Sequence, residues 1–416
     1  MNSRVSIVNK KEQYCVGEDL VVQVDMYDHL GNRKTYGGDF IRSRLYSPAL
    51  GAAVSGRVED FQNGSYHIHF PLRWVDNSKA NVSIRLWHPS EAVAALWRSR
   101  HTNLGNLGFE GMYDYLGQVA NTTCGFQLNT TQEICEYKDE FYEEAFYCIK
   151  PNNLSCECLK DMRAVDRQVS YHRPEERSLF ISGYFYNQTW YPMYCNMNVY
   201  KTGDDYIKCL QGKNLFLIGD STLRQYIMHF TETIKIVKYF RYHETGWRFW
   251  EKTLEALNMD KDIYVSYKRH GFPLESFMFY YFKEDMYTSR QIDQRAGGNN
   301  TIFVITMGQH FRQLPLKLFI RRAINIRRAV ERLFLRSPDT KVIIKTENTR
   351  EGIAFNEIYG DFHGYTQYLV LREVFRGTNV GFVDAWDMTV AASTQTVHPP
   401  GYTLENIMSL SFTFAC

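Results

Sequence analysis

Asn214-Leu215-Phe216-Leu217-Ile218 is a short apolar run that passes directly into Gly219-Asp220-Ser221. A bare run of this length, closed by a glycine, reads as a strand buried on both faces. The period then changes: Leu223, Tyr226, Ile227 and Phe230 recur at helical spacing. Downstream, Gly246–Leu257 reads as a helix, Asp262–Tyr267 and Thr301–Thr306 as strands, and Leu316–Leu335 as a long helix. Lys341–Lys345 is a strand pattern, Gly364–Arg376 a helix and Val380–Val383 a final strand. Apolar strands alternating with helices predict a parallel sheet covered on both faces, assigned to residues 171–416. Reactive groups of such sheets gather beyond the carboxyl ends of the strands.

The front of the chain has a different rhythm. Leu20–Met26, Tyr66–Phe70 and Asn81–Trp87 are short, alternating and rich in β-branched or aromatic residues. Turn residues at Asp28–Asn32, Asn63-Gly64 and Asp76–Lys79 separate them, which suggests an all-β immunoglobulin-like sandwich over residues 1–102. Glu91–Arg100 reads as a short helix. His67 and His69 share one strand face; they are read as an exposed polar edge, and no metal ligand set is assigned. Residues 103–170 are aperiodic and rich in Gly, Asn, Tyr and Cys, and are expected to form a disulfide-stapled connector.

Composition excludes several classes of function. The 416 residues are 44% hydrophobic and 23% charged, enough to bury cores. Lys+Arg 48 against Asp+Glu 46 leaves +2, so no global field draws the chain to nucleic acid. No apolar stretch approaches the roughly 18 residues of a membrane span. Of nine cysteines, five crowd between Cys124 and Cys158, and Cys156-Glu-Cys158 lacks zinc-pair spacing, so disulfides are favoured. Asn-x-Ser/Thr occurs at Asn63, Asn81, Asn121, Asn129, Asn153, Asn187 and Asn299. Together these indicate passage through an oxidising secretory lumen. Met1–Lys11 has no signal-peptide character, and the targeting segment is expected to be missing from the chain.

The strand ends carry the chemistry: Gly219-Asp220-Ser221, His270-Gly271, Gly308-Gln309-His310 and Asp384-Ala385-Trp386-Asp387, with His398 beyond them. Acyl transfer through serine needs a base to take the hydroxyl proton and an acid to orient that base. A serine at a strand-to-helix turn also has backbone N–H groups beside the developing oxyanion. These segments, with Phe216–Gln225, Met307–Arg312, Val383–Thr389 and Val397–Pro400, resemble the SGNH/GDSL hydrolases and their PC-esterase branch. The whole chain is identified as a member of the neurexophilin and PC-esterase domain family.

The resemblance implies a flavodoxin-like three-layer α/β domain in which Ser221 is the nucleophile and His398 the base. Gly271, Gln309 and His310 occupy the oxyanion positions, although the superfamily usually places Asn there. It also implies an O-acyltransferase or esterase, and the expected activity is lumenal O-acetyl transfer to glycan hydroxyls such as those of sialic acid, in the Golgi lumen or after secretion. No tightly bound cofactor is expected; an acetyl-CoA-like donor and a glycan acceptor are. The alternatives are a secreted glycoprotein that binds a cell-surface partner with a silent esterase fold, or a carbohydrate or lipid esterase. One departure matters: the position three before His398 is Gln395, where the superfamily commonly has Asp. Asp387 and Asp384 are the candidates to replace it, Asp387 being nearer the loop. Seven cations on one helix (Lys317 to Arg336) read as a solvated face, and Trp386 as a core residue that could alternatively stack on a sugar.

Overall fold

The computed structural model describes residues 2–28, 30–75, 80–86, 107–166, 181–234, 238–241, 253–271, 280–350 and 359–416. The expected helix Glu91–Arg100 lies outside them. In chain order the front half forms β1 (Arg4–Ile7), β2 (Asp19–Asp25), β3 (Ile41–Ser47), β4 (Ala52–Ser55), β5 (Arg57–Asp60), β6 (Ser65–Pro71) and β7 (Asn81–Leu86). It continues with β8 (Leu107–Tyr115), β9 (Gln118–Gly125), β10 (Ile134–Asp139), β11 (Glu144–Ile149), β12 (Leu159–Asp166), β13 (Gly183–Tyr186) and β14 (Thr189–Pro192).

Alternation decides which faces are buried. Leu20, Val22 and Val24 of β2 and Tyr66, Ile68 and Phe70 of β6 point inward, while the residues between them stay partly exposed. Two antiparallel sheets result, ordered β1-β2-β6-β5 and β14-β13-β4-β3-β7. Their inner residues, among them Val24, Leu45, Val54 and Ile68, close one core. The second sheet takes β13 and β14 from a segment that the sequence assigned to the α/β region.

The cysteine-rich segment is more regular than expected. Its strands make an antiparallel sheet ordered β10-β11-β9-β8-β12, joined at its edge by β19 (Tyr280–Tyr281). The outer positions carry polar residues, and the inner ones include Gly and Cys, which obscures the alternation. Phe109, Tyr113, Phe146 and Met162 pack into one core with residues of the α/β region, so this sheet is not a separate unit.

The remainder alternates as β15 (Asn214–Gly219), β16 (Lys238–Arg241), β17 (Leu254–Asn258), β18 (Ile263–Arg269), β20 (Thr301–Ile305), β21 (Lys341–Lys345) and β22 (Gly381–Val383). The helices are α1 (Gly203–Leu210), α2 (Ser221–Thr233), α3 (Thr288–Asp293), α4 (Leu316–Arg336), α5 (Asp361–Val374), α6 (Ala385–Ala392) and α7 (Gly401–Ala415). The expected helix Gly246–Leu257 is corrected where it is described: Leu254–Asn258 is a strand, because Leu254, Ala256 and Asn258 alternate inward against β18.

Five strands run parallel in the order β18-β15-β20-β21-β22, with β16 and β17 antiparallel at one edge. Alternate residues face opposite layers. Phe303, Ile305, Val342 and Ile344 join α4, whereas Ile302, Val304 and Ile343 join α2 and α7. This explains why every residue of β20 is buried. Numbered among the parallel strands alone, the sheet reads 2-1-3-4-5, so connections leave β15 in opposite directions on its two sides. In open sheets of this order the ligand site lies at that point, beyond the carboxyl end of β15.

Candidate active site

The Gly219-Asp220-Ser221 turn is built by close packing. Gly219 leaves no room for a side chain, since a Cβ there would lie 2.6 Å from Thr306. Asp220 then caps α2: its Oδ1 accepts from the Thr222 backbone N–H at 2.9 Å and from the Thr222 hydroxyl at 2.7 Å. Ser221 follows as the first residue of the helix, half-buried.

His398 comes from 177 residues away and meets this serine, with Nε2 2.7 Å from Ser221 Oγ. Its loop is clasped from two sides. Gln225 on α2 donates to the Pro399 carbonyl at 3.2 Å, and Asn348 beyond β21 donates to the Val397 carbonyl at 3.2 Å. Partial desolvation lowers the His398 pKa, while the Asp220 charge opposes that shift. The imidazole is therefore neutral, and able to accept a proton, at ordinary pH.

The expected orienting acids lie elsewhere. Asp387 accepts from the Ser55 hydroxyl, the Ser182 N–H at 2.6 Å, the Ser182 hydroxyl at 2.9 Å and the Gly183 N–H at 3.3 Å. Asp384 caps α6 and accepts from the Asp387 N–H at 3.0 Å and the Tyr368 hydroxyl at 2.8 Å. The reason is local: α6 starts directly after β22, which turns Asp387 toward Ser55 and Ser182 of the β-rich front half and leaves Asp384 on Tyr368 of α5. Gln395 bonds Ser393. Among the described residues no carboxylate hydrogen-bonds the His398 ring.

The carboxylate nearest the dyad in electrostatic terms is Asp220. Burial alone would raise its pKa; the net direction is downward, because the His310 ring, the Lys345 ammonium and the Thr222 hydroxyl surround it. Lys345 Nζ contacts Thr222 Oγ1 at 3.3 Å, the Thr346 carbonyl at 3.1 Å and Asn348 Oδ1 at 3.0 Å. Thr222 Oγ1 already gives its proton to Asp220, so all three partners accept, which uses the three donors of a charged ammonium.

The oxyanion positions are only partly as expected. Gln309 is buried and donates to the Asn348 carbonyl at 3.2 Å, so its amide is tied to a neighbouring loop rather than aimed at Ser221. His310 Nδ1 lies 2.9 Å from His270 Nε2, and burial pushes the His310 pKa down to about 4. Gly271 follows β18 beside this pair. Gly308 adopts φ 151°, and a Cβ there would collide with the Glu347 carboxyl group. Burial raises Glu347 to about 8 despite the neighbouring Arg312.

Lys345, Glu347, Asn348 and Arg312 thus form a buried frame under the dyad that sequence reading missed. Arg312 joins the Asn348 carbonyl at 2.6 Å, the Tyr359 carbonyl at 2.8 Å and Asp361 at 3.2 Å. The available signal was Lys345-Thr346-Glu347-Asn348, a polar run beyond the carboxyl end of an apolar strand. Other residues take structural roles. Trp386 is fully buried against Tyr365 and Tyr368. On α4, Arg322 pairs with buried Glu144, and Arg332 with Asp293 at 2.5 Å, so these cations fasten the helix to its neighbours.

Two family comparisons cover most of the chain. Residues 190–416 match the NXPE family member 4-like C-terminal domain, and residues 4–171 match neurexophilin. The chain belongs to the NXPE family. In this NXPE chain the C-terminal match contains Ser221, His398 and the whole buried frame, while the neurexophilin match spans β1 to β12. Three disulfides, Cys124–Cys148, Cys135–Cys156 and Cys209–Cys416, fit an oxidising compartment. Cys15, Cys158 and Cys195 are thiols, where the odd count alone required only one. All seven Asn residues of the glycosylation signals are exposed. No helix of the described residues is long and apolar enough to cross a membrane.

Proposed function

We propose that this NXPE chain is a serine-dependent O-acyltransferase of the secretory lumen, transferring acetyl groups to glycan hydroxyls such as those of sialic acid. One observation carries the reading: the 2.7 Å contact between His398 Nε2 and Ser221 Oγ at the carboxyl end of a parallel strand. The 2-1-3-4-5 strand order supports a flavodoxin-like SGNH domain, and the face-to-face front sheets support an immunoglobulin-like one.

In this reading Nε2 takes the Ser221 proton and Oγ attacks the acyl carbonyl of an acetyl-CoA-like donor. The N–H groups opening α2 receive the oxyanion, and the donor leaves with the proton from His398. A sugar hydroxyl then gives its proton to Nε2 and takes the acetyl group from Ser221, and His398 returns that proton to Oγ as the acyl–oxygen bond breaks. Asp220 acts as the fixed negative charge that favours the imidazolium, in place of the acid missing at Gln395. It does so across space rather than through a hydrogen bond to the ring.

The test is Ser221→Ala assayed with acetylated donor and free glycan, together with labelling by a fluorophosphonate probe. Transfer falls at least about 10³-fold and labelling disappears; unchanged transfer excludes the serine route. A second reading has an observation of its own. The neurexophilin match, and the lack of a carboxylate on the His398 ring among the described residues, favour a glycoprotein that binds a cell-surface partner through its front half, with a silent dyad. Wild-type chain that resists the probe while binding cell surfaces selects that reading.

A further inference from the structure

The front sheet carries a group of metal-type ligands far in sequence from the dyad. His67 and His69 lie two apart on β6, which places both rings on one face of the sheet. Taken as a pair they read as a polar edge. The structure adds a third donor: Glu59 on β5 stands directly opposite His67 in the antiparallel register. One ligand atom from each of Glu59, His67 and His69 lies within 4.8 Å of the other two.

We infer that Glu59, His67 and His69 form a binding site for a zinc-class divalent cation. Two neutral imidazoles and one carboxylate form a donor set typical of zinc, and a fourth position stays open to water or a partner's donor. Tetrahedral zinc with bonds of roughly 2.1 Å needs ligand atoms about 3.4 Å apart. His69 Nε2 and Glu59 Oε2, at 3.0 Å, are already at that scale. His67 is lightly held, its present partner, Gln23 Oε1, being a weak 3.4 Å contact. Phe61 packs edge-on against the His67 ring at 4.6 Å and limits its swing to the sheet face.

A second carboxylate supports the assignment. Asp19 Oδ2 lies 4.0 Å from His69 Nδ1, on the side away from Glu59. Closing that gap on metal binding would let the acid accept the remaining ring N–H, which fixes the tautomer that presents Nε2 to the metal and makes that nitrogen a better donor. All four residues are at least partly exposed, so the cation has a direct approach. Bound metal would cross-link β5 to β6 at the outer face of the neurexophilin-matching region, away from Ser221.

The experiment uses the disulfide-intact, tag-free full chain stripped with a chelator. Titration with Zn²⁺ alone in a calorimeter is expected to show one equivalent per chain. His67→Ala and His69→Ala each weaken that binding at least about tenfold, and Asp19→Asn by about tenfold. Co²⁺ in wild-type chain is expected to give the intense visible bands of four-coordinate metal, a readout that needs no variant. Fluorophosphonate labelling of Ser221 stays the same with and without Zn²⁺, which separates this site from the proposed active site. Failure of Zn²⁺ to saturate at one equivalent, Co²⁺ bands of six-coordinate type, or affinity unchanged in the His67→Ala/His69→Ala double variant would each overturn the assignment.

Discussion

Two strand-to-helix junctions lie on the same parallel sheet, β15 into α2 and β22 into α6, and each places an Asp at the helix cap. Asp220 and Asp384 are both buried, yet their carboxyl groups move in opposite directions. Asp220 is held below the usual carboxylate range against the effect of burial, by the His310 ring, Lys345 and Thr222. Asp384 is raised to about 7 by burial and by the neighbouring Asp387, itself raised by burial. The first junction keeps a negative charge beside a serine and a histidine. The second has hydroxyls, N–H groups and another acid, and pins the α/β region to Ser55 and Ser182 of the front half. A place at the carboxyl end of a strand does not give an acid its role; the charges around it do.

The sharpest way to break this contrast is to neutralise each acid at constant shape. Asp220→Asn is expected to lower kcat/KM for the proposed transfer by about 10²–10⁴-fold, since the imidazolium loses its close counter-charge among the described residues. Asp387→Asn should leave kcat/KM within about threefold and instead destabilise the fold by about 1–3 kcal/mol, because one acceptor for buried donors is lost. Steady-state kinetics and denaturant melts on both variants decide it. Loss of activity in folded Asp387→Asn chain, with Asp220→Asn active, would reverse the two assignments.

Next in size is Gly308→Ala. The backbone there has φ 151°, and the new methyl would strike Glu347, so we expect a loss of about 2–4 kcal/mol. The collision and the backbone strain separate in a double-mutant cycle. Gly308→Ala combined with Glu347→Ala should recover part of the loss, and the part not recovered measures φ. Strict additivity would remove Glu347 from the frame beneath the dyad.

The second junction also has a pH signature. A carboxyl group whose folded pKa lies above its unfolded value binds more protons when folded. Stability is then greatest below the unfolded pKa, near 4, and declines as pH rises through about 7. Asp384→Asn should flatten that slope by about 1–3 kcal/mol between pH 4 and 8, discounted because Asp384 and Asp387 share the effect. Glu347, raised to about 8, adds a slope of the same sign that the variant leaves in place. Melting curves across this range check both. An Asp384→Asn slope identical to that of wild type would show that this acid is charged in the fold.

Much of the architecture was legible because periodicity is a local property. Asn214–Ile218, Thr301–Thr306 and Lys341–Lys345 each became a parallel strand, and Leu316–Leu335 a helix. The Ser221–His398 pair could be named from strand ends and resemblance, with no knowledge of the distance between them. What escaped was non-local. Leu254–Asn258 is amphipathic enough to pass for a helix until β18 pairs with it. The strands of the cysteine-rich sheet show their pattern only against one another. The acid was misassigned because nearness in sequence stood in for direction: Asp387 lies eleven residues before His398 but faces Ser55. Glu59 could not be joined to His67 before the register of β5 and β6 was known.

The smallest expected effect tests whether rim and seam are independent. Ser182→Ala removes one hydroxyl bond to Asp387 at 2.9 Å but leaves the Ser182 and Gly183 N–H groups and the Ser55 hydroxyl in place. Such a loss costs about 0.5–1.5 kcal/mol, since the acceptor keeps other partners. In a cycle with Asp387→Asn the two changes share one contact, so a coupling of about 0.5–1 kcal/mol is expected. In a cycle with Asp220→Asn they share none, and the effects should add within roughly 0.3–0.5 kcal/mol. Measured coupling between Ser182 and Asp220 as large as that between Ser182 and Asp387 would mean that one buried network spans both junctions. The opposite behaviour of their capping acids could then no longer be assigned to separate surroundings.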